Sequence, residues 1–236
     1  MNKSALLVWG GWPGHSPKEC AELFGPWLDE QGYNVTISDN LDSYLNVDYL
    51  KSMDLIVPIW TQGDLPRQHT TNLLEAINSG VGIAGWHGCM GDSFRTNVEY
   101  QFMVGGQWVA HPGNVTENDD GVVYDPFIRY KVEISPKKDL ITDGLSDFYM
   151  ETEQYYMHVD PSNEVLATTT FNGEQELSSK FPYKCYWIKD CVMPVVWKRR
   201  WGNGKVFFSS LGHKLEDFQV PEAMAITQRG LLWASR

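Results

Sequence analysis

Apolar runs and segments of helical periodicity alternate through the first part of the chain. Residues 4–11 form an apolar run that ends in glycines, and they predict a buried first strand. Residues 34–38, 54–60 and 81–86 predict three further strands. The runs at 54–60 and 81–86 are apolar without alternation, which is typical of parallel strands that are covered on both faces.

Helix signals separate these strands. Residues 16–19 offer a serine N-cap, a proline at the first helical position and a capping-box glutamate, and Gly32 ends the helix that follows. A second helix begins behind a cap at residues 64–66 and ends at Gly80, and a third is expected from Ser93. Strands and helices in this order predict an α/β fold with a three-layer, open, mostly parallel sheet and helices on both faces.

The second half of the chain is richer in β-structure. Residues 114–120 predict a polar loop, and a closing helix begins at Pro221. Between them, mixed alternation predicts extra β segments: 127–134, 148–159, 165–171, and a hairpin of 194–201 and 205–209 turned by residues 202–204. No repeat or low-complexity linker divides the sequence, so we predict a single domain over residues 1–236.

Charge and hydropathy exclude several classes of partner. The 236 residues include 19 Lys and Arg against 30 Asp and Glu, for a net charge of -11. Because basic contacts to phosphates supply most nucleic-acid affinity, we expect no nucleic-acid partner and no anionic membrane partner. The longest apolar run, residues 55–60, is far shorter than the ~20 residues of a membrane-spanning helix.

Cysteine content points to a reducing compartment. The four cysteines show no C-x-x-C spacing and are too few for a disulfide framework in a chain of this size. The N-terminal apolar run is also too short for a secretory signal. We therefore expect a cytoplasmic location.

Three histidines each follow a predicted strand. His15 follows the first strand, His87 the fourth, and His213 the strand at 205–209. In an open α/β sheet, ligands bind outside the carboxyl ends of the strands, so these side chains are expected to converge on a cleft. A lone histidine is more often structural than functional, but three at one edge favour a site.

A glycine-rich segment at residues 85–91 leaves the fourth strand. A tight strand-to-helix turn needs glycines, and it projects one residue into the cleft beside exposed backbone N–H groups. His87 or Cys89 occupies that point. Cys89 would need a histidine partner and a lowered pKa to act as a nucleophile, and a small buried thiol is its expected role.

Several further motifs resemble those of a known family. They are residues 81–88, 104–112, 153–155, 202–206, 211–213 and 229–234. Together they resemble the ThuA-like family, named for trehalose utilization, whose fold is flavodoxin-like and similar to that of class I glutamine amidotransferases. The resemblance spans nearly the whole chain.

The resemblance implies a function in sugar metabolism, on glucosides or their oxidised keto forms. His87 stands where amidotransferases carry their cysteine, so glutamine hydrolysis is not expected. The family's Asp-Glu-x-Tyr motif corresponds to Thr152-Glu153-Gln154-Tyr155, so only Glu153 and Tyr155 carry over.

Aromatic and polar residues near strand ends support a sugar site. Aromatic faces cover the apolar side of a sugar ring, and polar groups hold its hydroxyls. The residues expected to bind ligand are Trp12, His15, Trp60, Gln62, Trp86, His111 and Tyr155. Most of the ten tryptophans are nevertheless expected in the core.

Two mechanisms fit the candidate catalytic residues His87, Glu153, His158 and His213. A divalent metal held by some of His87, His111, His158 and His213, with Glu153, could polarise a carbonyl or activate water. Alternatively, His87 with Glu153 or His213 could act as a metal-free acid–base pair. The sequence spacing does not decide between them, and we favour the metal-free version.

The sequence leaves three classes of function open. The leading one is an enzyme that hydrolyses, eliminates or isomerises a sugar. A non-catalytic sugar-binding or regulatory protein is the second, and a Cys89-dependent amidotransferase-type hydrolase is the third and is disfavoured. Aromatic stretches at 155–157, 181–183 and 186–187 are compatible with a homo-oligomer contact, although core packing explains them more simply.

Overall fold

The computed structural model describes residues 3–118 and 121–236. Its strands are β1 (Lys3–Gly11), β2 (Tyr33–Ser38), β3 (Leu55–Thr61), β4 (Gly82–Trp86), β5 (Gly106–Ala110), β6 (Asn114–Asn118), β7 (Gly121–Asp125), β8 (Phe127–Ile134), β9 (Phe148–Glu153), β10 (Tyr156–Val159), β11 (Glu164–Thr170), β12 (Val192–Trp201) and β13 (Gly204–Ser209). Its α-helices are α1 (Pro17–Glu30), α2 (Val47–Lys51), α3 (Arg67–Ser79), α4 (His87–Met90), α5 (Val98–Val104) and α6 (Pro221–Ala234).

A nine-stranded sheet runs through the described residues in the order β2-β1-β3-β4-β13-β12-β11-β8-β9. Neighbours from β2 to β13 pair in parallel, and the remaining pairs are antiparallel. Only β8 and β12 therefore run against the other strands of this sheet. The predicted α/β class with a mostly parallel sheet is confirmed, and the extra β segments of the second half extend it.

Both faces of the sheet are covered, because its strands carry apolar side chains on both sides. On β1, Ala5 and Leu7 belong to one core with α1 and α6. Leu6 and Val8 belong to the other core, which includes residues of α2, α3 and α5. This arrangement explains the unbroken apolar runs of the sequence. None of the helices in the described ranges is both long enough and apolar enough to cross a membrane.

The first helix begins differently from its sequence signal. Ser16 has a φ of 47° and a left-handed conformation, and its side chain makes no capping hydrogen bond. Its backbone N–H closes the short 3-10 turn Pro13–His15 instead, by donating to the carbonyl of Pro13. The predicted capping box is therefore wrong, because this turn fixes the backbone of Ser16. Pro17 does open the helix.

The expected helix from Ser93 is also wrong. A single helical turn, α4, begins directly after β4, and the next helix begins at Val98 behind the capping side chain of Asn97. Ser93 instead forms a backbone bridge with Gln62 beyond β3 and donates its hydroxyl to the carbonyl of Trp60. Phe94, which follows it, has a left-handed φ of 50°, so the helix cannot begin at Ser93.

Two β assignments in the second half need correction. Residues 114–118 of the predicted polar loop form β6, which pairs with β7 because Val115 and Thr116 meet Tyr124 and Val123 across the hairpin. Residues 119 and 120 of that loop lie outside the described residues. The predicted segment 148–159 is two strands, since β9 joins the large sheet and β10 pairs with β5.

Candidate functional site

Four buried side chains meet at the carboxyl edge of the sheet. His15 follows β1, His87 is the first residue after β4, His213 follows β13, and Glu153 is the last residue of β9. One side-chain nitrogen or oxygen of each lies within 4.8 Å of those of the others. The structure therefore brings the three strand-end histidines together with the acid implied by the family resemblance.

Glu153 reaches the cluster because the sheet curls. β9 lies five strand spacings from β4 in the sheet order. At ~4.8 Å per spacing, a flat sheet would hold the two strands about 24 Å apart. The Glu153 carboxylate nevertheless lies 3.1 Å from the His87 ring. The antiparallel half of the sheet must bend back over the ends of the parallel strands to make this contact.

The turn that carries His87 is tight. His87 has a φ of 42°, a left-handed conformation that costs a non-glycine residue about 1–3 kcal/mol. A Cβ at Gly85 would lie 2.7 Å from Met90 Cβ, and one at Gly88 would lie 2.0 Å from His15 Cε1. Both glycines are needed for close contact, as the glycine-rich pattern indicates, and the second allows His15 to approach His87.

Three ligand-type atoms form the centre of the cluster. His87 Nε2 lies 3.1 Å from Glu153 Oε2 and 3.3 Å from His213 Nδ1. His213 Nδ1 also lies 3.3 Å from Glu153 Oε2. The three atoms thus form a nearly equilateral triangle. Histidine rings stand perpendicular around it, with His15 at a centroid distance of 4.8 Å from both His87 and His213.

Outer hydrogen bonds orient two of the rings. His87 Nδ1 lies 2.8 Å from the backbone carbonyl of Ser210. A carbonyl can only accept, so Nδ1 carries a hydrogen and Nε2 faces Glu153. His15 Nδ1 lies 2.8 Å from the Thr61 hydroxyl, which leaves its Nε2 free of that bond.

Asp217 positions the loop that carries His213. Its carboxylate accepts from the His213 backbone N–H at 2.8 Å and from the Thr152 hydroxyl at 2.7 Å. Thr152 precedes Glu153 on β9, so this one buried acid links the supports of two cluster residues. No sequence pattern marks Asp217, because a lone acid in a short 3-10 helix carries no recognisable signal.

Burial and mutual proximity shift the pKa values of the site. Burial, with help from neighbouring His87 and His213, lowers the pKa of His15 to about 2. Burial alone would raise the pKa of Glu153, but hydrogen bonds from His213 and His87 outweigh it and hold that pKa well below its usual range. Burial lowers the pKa of His111 against the opposing effect of Glu153. The cluster thus contains an ionised carboxylate beside a neutral His15.

A cavity of about 210 Å³ opens beside the cluster. Trp12 is 44% exposed and its ring meets the edge of His15. Arg95 forms a bidentate ion pair with Asp92 and lies 4.2 Å from the ring centre of Trp108. The lining residues are Trp12, His15, Gln62, Asp92, Arg95, His111, Glu153 and Tyr155.

His111 and Tyr155 connect the cavity to the buried cluster. Tyr155 packs its ring 4.0 Å from that of His87 and stacks against His111. His111 Nε2 lies 3.9 Å from Glu153 Oε1, the oxygen that does not face His87. Tyr124 touches His111 from the outside, with its hydroxyl 3.3 Å from His111 Nδ1. Glu153 is therefore shared between the cluster and the cavity.

Three sequence candidates lie elsewhere. His158 is exposed on β10 because the pairing of β10 with β5 turns it to the surface. Trp86 is fully buried against Phe24 and Phe218 in the core that also contains Ala84, since residues two apart on a strand share one face. The Trp60 ring covers Gly10, where a Cβ would lie 2.4 Å from it. Their expected places in the site are corrected accordingly.

Cys89 does not have the surroundings of a nucleophile. Its side chain is fully buried, and burial together with nearby Cys20 raises the pKa of its thiol well above the usual value. A reactive cysteine needs the opposite shift of its pKa and an accessible sulfur.

No sequence pattern marks the Asp92–Arg95 pair that lines the cavity, because the i,i+3 spacing of two charges is common on any surface.

The mostly parallel sheet, covered on both faces and carrying a His–Glu cluster at its carboxyl edge, has the architecture of the ThuA-like proteins. The chain matches the family ThuA, described as trehalose utilisation, over residues 4–234. It belongs to that family.

Solved structures agree with this fold. A ThuA-like protein from Parabacteroides merdae matches with a TM-score of 0.72 at 16% identity, covering 99% of this chain and 90% of that one. A ThuA-like protein from Bacteroides uniformis matches with a TM-score of 0.74 at 15% identity, with 98% and 91% covered. A cytoplasmic protein from Salmonella typhimurium LT2 matches at 0.57 and 12% identity, with 99% and 100% covered. No match was found among curated proteins.

Proposed function

We propose that this chain is an enzyme that acts on a small sugar, a glucoside or its oxidised keto form, through the His–Glu cluster. The observation that carries the proposal is the buried cluster of His15, His87, Glu153 and His213, of which His15 and Glu153 line a cavity. Membership of a family linked to trehalose utilisation supports a sugar as the substrate. Buried groups with strongly shifted pKa values beside a cavity are typical of active sites.

The cavity suits part of a sugar. Its volume of about 210 Å³ is below the range of drug-sized ligand pockets, which begin near ~300 Å³. Trp12 offers an exposed aromatic face at the rim, and Gln62 and Arg95 offer hydrogen-bond donors. A single ring with several hydroxyls matches this combination of one apolar face and several polar groups.

The carboxylates of the cavity favour elimination or isomerisation over direct hydrolysis. Glycosidases that cleave an unmodified glycosidic bond generally use two carboxylates that flank it. Asp92 and Glu153 are the carboxylates among the lining residues, and Asp92 is held in a bidentate pair by Arg95. Glu153 therefore lacks a free carboxyl partner there.

A keto-sugar makes this chemistry accessible. A carbonyl acidifies the C–H bond on the neighbouring carbon, so a base can remove that proton. If the glycosidic oxygen is on the next carbon, the electron pair forms a C=C bond as the C–O bond breaks, and the leaving oxygen takes up a proton. Without such a leaving group, the proton can return to the former carbonyl carbon and not to the carbon it left, which gives an isomeric keto-sugar. The cluster can hold the proton, and the hydrogen-bond donors Gln62 and Arg95 in the cavity wall can stabilise the oxyanion.

The test is turnover of a panel of glucosides and keto-glucosides, followed by proton NMR. Wild-type protein is expected to convert at least one keto-glucoside, and His87→Ala should lose that activity. His158→Ala is the matched control, because the exposed His158 lies outside the cluster. Sugar binding without product, unchanged in His87→Ala, would instead identify a non-catalytic binding protein. Turnover by His87→Ala at the wild-type rate would contradict the proposal.

Other expectations from the sequence remain proposals. We propose that the chain is a single ThuA-like domain and works in the cytoplasm, which the four free cysteines support. Its partner is a small sugar rather than nucleic acid or a membrane. The exposed side chains of Tyr183, Tyr186 and Trp187 are available for a homo-oligomer contact. Sedimentation analysis would test whether the protein forms such an oligomer.

A further inference from the structure

We propose that His87, His213 and Glu153 bind one divalent first-row transition-metal ion, with His15 facing its open position. The sequence alone favoured a metal-free mechanism, and the geometry of the buried atoms reverses that preference. The inference rests on ligand geometry and not on the identity of the sugar, so it can fail or hold independently of the proposed function.

The spacing of the three atoms fits the edges of a coordination polyhedron. Two ligands that are each about 2.05 Å from a zinc ion and subtend a tetrahedral angle lie about 3.3 Å apart. The observed separations are 3.1 Å between His87 Nε2 and Glu153 Oε2, and 3.3 Å from His213 Nδ1 to each of them. All three pairs of atoms therefore have the separation expected of ligands around one ion. A set of separate hydrogen bonds would not require three such equal distances.

The number of hydrogens available also favours an ion. His87 donates through Nδ1 to the Ser210 carbonyl, so a neutral His87 presents a lone pair at Nε2. This atom lies 3.1 Å from Glu153 Oε2, so both atoms point at a centre that they share with His213 Nδ1. A hydrogen on His213 Nδ1 can form a full hydrogen bond with only one of its two neighbours, His87 Nε2 or Glu153 Oε2. One metal ion satisfies all three lone pairs together.

The outer contacts match those of metal-bound histidines. Such histidines almost always donate their second ring N–H to a carbonyl, carboxylate or water, which fixes the ring and its tautomer. Ser210 supplies this carbonyl for His87. Asp217 fixes the backbone of His213. These supports make the ligand set rigid before an ion arrives.

His15 is the fourth member of the cluster and lies beside the triangle of ligand atoms. Its candidate atom lies within 4.8 Å of the others, a wider limit than the triangle of 3.1 to 3.3 Å. His15 and Glu153 also line the cavity. A site with two histidines, one carboxylate and an open position is typical of catalytic metals rather than structural ones. At that position the ion would polarise the carbonyl of a keto-sugar.

The experiment measures metal directly. Tag-free protein purified without chelator is analysed for bound metals, then stripped and titrated with Co²⁺ and with Zn²⁺. We expect about one equivalent of metal in wild-type protein, visible Co²⁺ absorption bands, and competition by Zn²⁺. Glu153→Gln keeps the shape of the side chain but removes its charge, and it should bind Co²⁺ more than about 100-fold more weakly.

Control variants separate ligands from neighbours. His158→Ala should bind Co²⁺ like wild type, and His15→Ala should keep the ion with changed absorption bands. Circular dichroism and urea unfolding check that each variant is folded. Wild-type protein that takes up neither ion, or folded Glu153→Gln that binds Co²⁺ as tightly as wild type, would overturn the proposal. Neither result depends on finding a substrate.

Discussion

Gly88 offers a sharp test of how closely His15 packs against the turn that carries His87. An added Cβ at Gly88 would lie 2.0 Å from His15 Cε1 and 2.3 Å from His15 Nδ1, whereas ordinary contacts begin at 3.4 Å. The imidazole of His15 must therefore withdraw by more than 1 Å in Gly88→Ala. Its hydrogen bond to the Thr61 hydroxyl, 2.8 Å in length, opposes this movement.

The magnitude follows from two opposing effects. Overpacking a buried contact costs about 1–3 kcal/mol of the free energy of unfolding. Gly88 lies within α4, where alanine is otherwise preferred over glycine by up to ~1 kcal/mol. Gly88→Ala should therefore destabilise wild-type protein by up to about 2 kcal/mol. In a His15→Ala background the clash is gone, and the same substitution should be neutral or stabilising.

The assay is urea unfolding of the four proteins of this double-mutant cycle, with chelator present so that bound ions do not contribute. The coupling between the two sites should be about 1–3 kcal/mol, well above the ~0.5 kcal/mol expected for independent positions. An equal effect of Gly88→Ala in both backgrounds would refute the close approach of His15 to the turn.

Three further predictions concern other parts of the site. Because burial raises the pKa of the Cys89 thiol, Cys89 stays protonated at neutral pH. Mass spectrometry should therefore find Cys89 unmodified by iodoacetamide while the partly exposed Cys191 reacts, and rapid labelling of Cys89 in folded protein would contradict this. Asp217→Asn weakens two buried hydrogen bonds to a carboxylate and should lower the free energy of unfolding by about 1.5–3 kcal/mol, and an unchanged urea midpoint would count against its positioning role. Trp12→Ala should raise KM about 2- to 10-fold with little change in metal content, since an aromatic contact contributes about 0.5–1.5 kcal/mol. Loss of metal in this variant would contradict the assignment of Trp12 to sugar binding.

The convergence of His15, His87 and His213 follows from the sequence because each residue comes directly after a predicted strand. Parallel strands end at the same edge of a sheet. The residues that follow them therefore lie near one another, and the exact twist of the sheet does not change this. The glycines around His87 similarly indicate a tight turn. Local pattern is sufficient where backbone topology alone fixes the neighbourhood.

Glu153 and the remaining histidines depend on tertiary structure instead. Glu153 lies on the edge strand, and only the curl of the sheet brings it to His87. His111 and His158 both belong to β-rich sequence of similar character, but the pairing of β5 with β10 exposes His158 and leaves His111 beside the cavity. Register between distant strands is not encoded in the local pattern, so sequence reasoning could not separate the two.

Trp86 shows a case where a simple rule was available. It ends β4, and residues two apart on a strand share one face. Trp86 therefore shares a face with the apolar Ala84 and belongs to the core, where its ring meets Phe24 and Phe218. Proximity in sequence to a functional residue is therefore poor support for a shared site.

Glu153 and the surrounding histidines are proposed to form a sugar-active centre. Its most direct test is the rate at which wild-type protein and Glu153→Gln convert a keto-glucoside, measured by proton NMR at equal protein concentration. We expect measurable turnover by the wild type and a rate at least about 100-fold lower for the folded variant. Equal rates for the two proteins would contradict it.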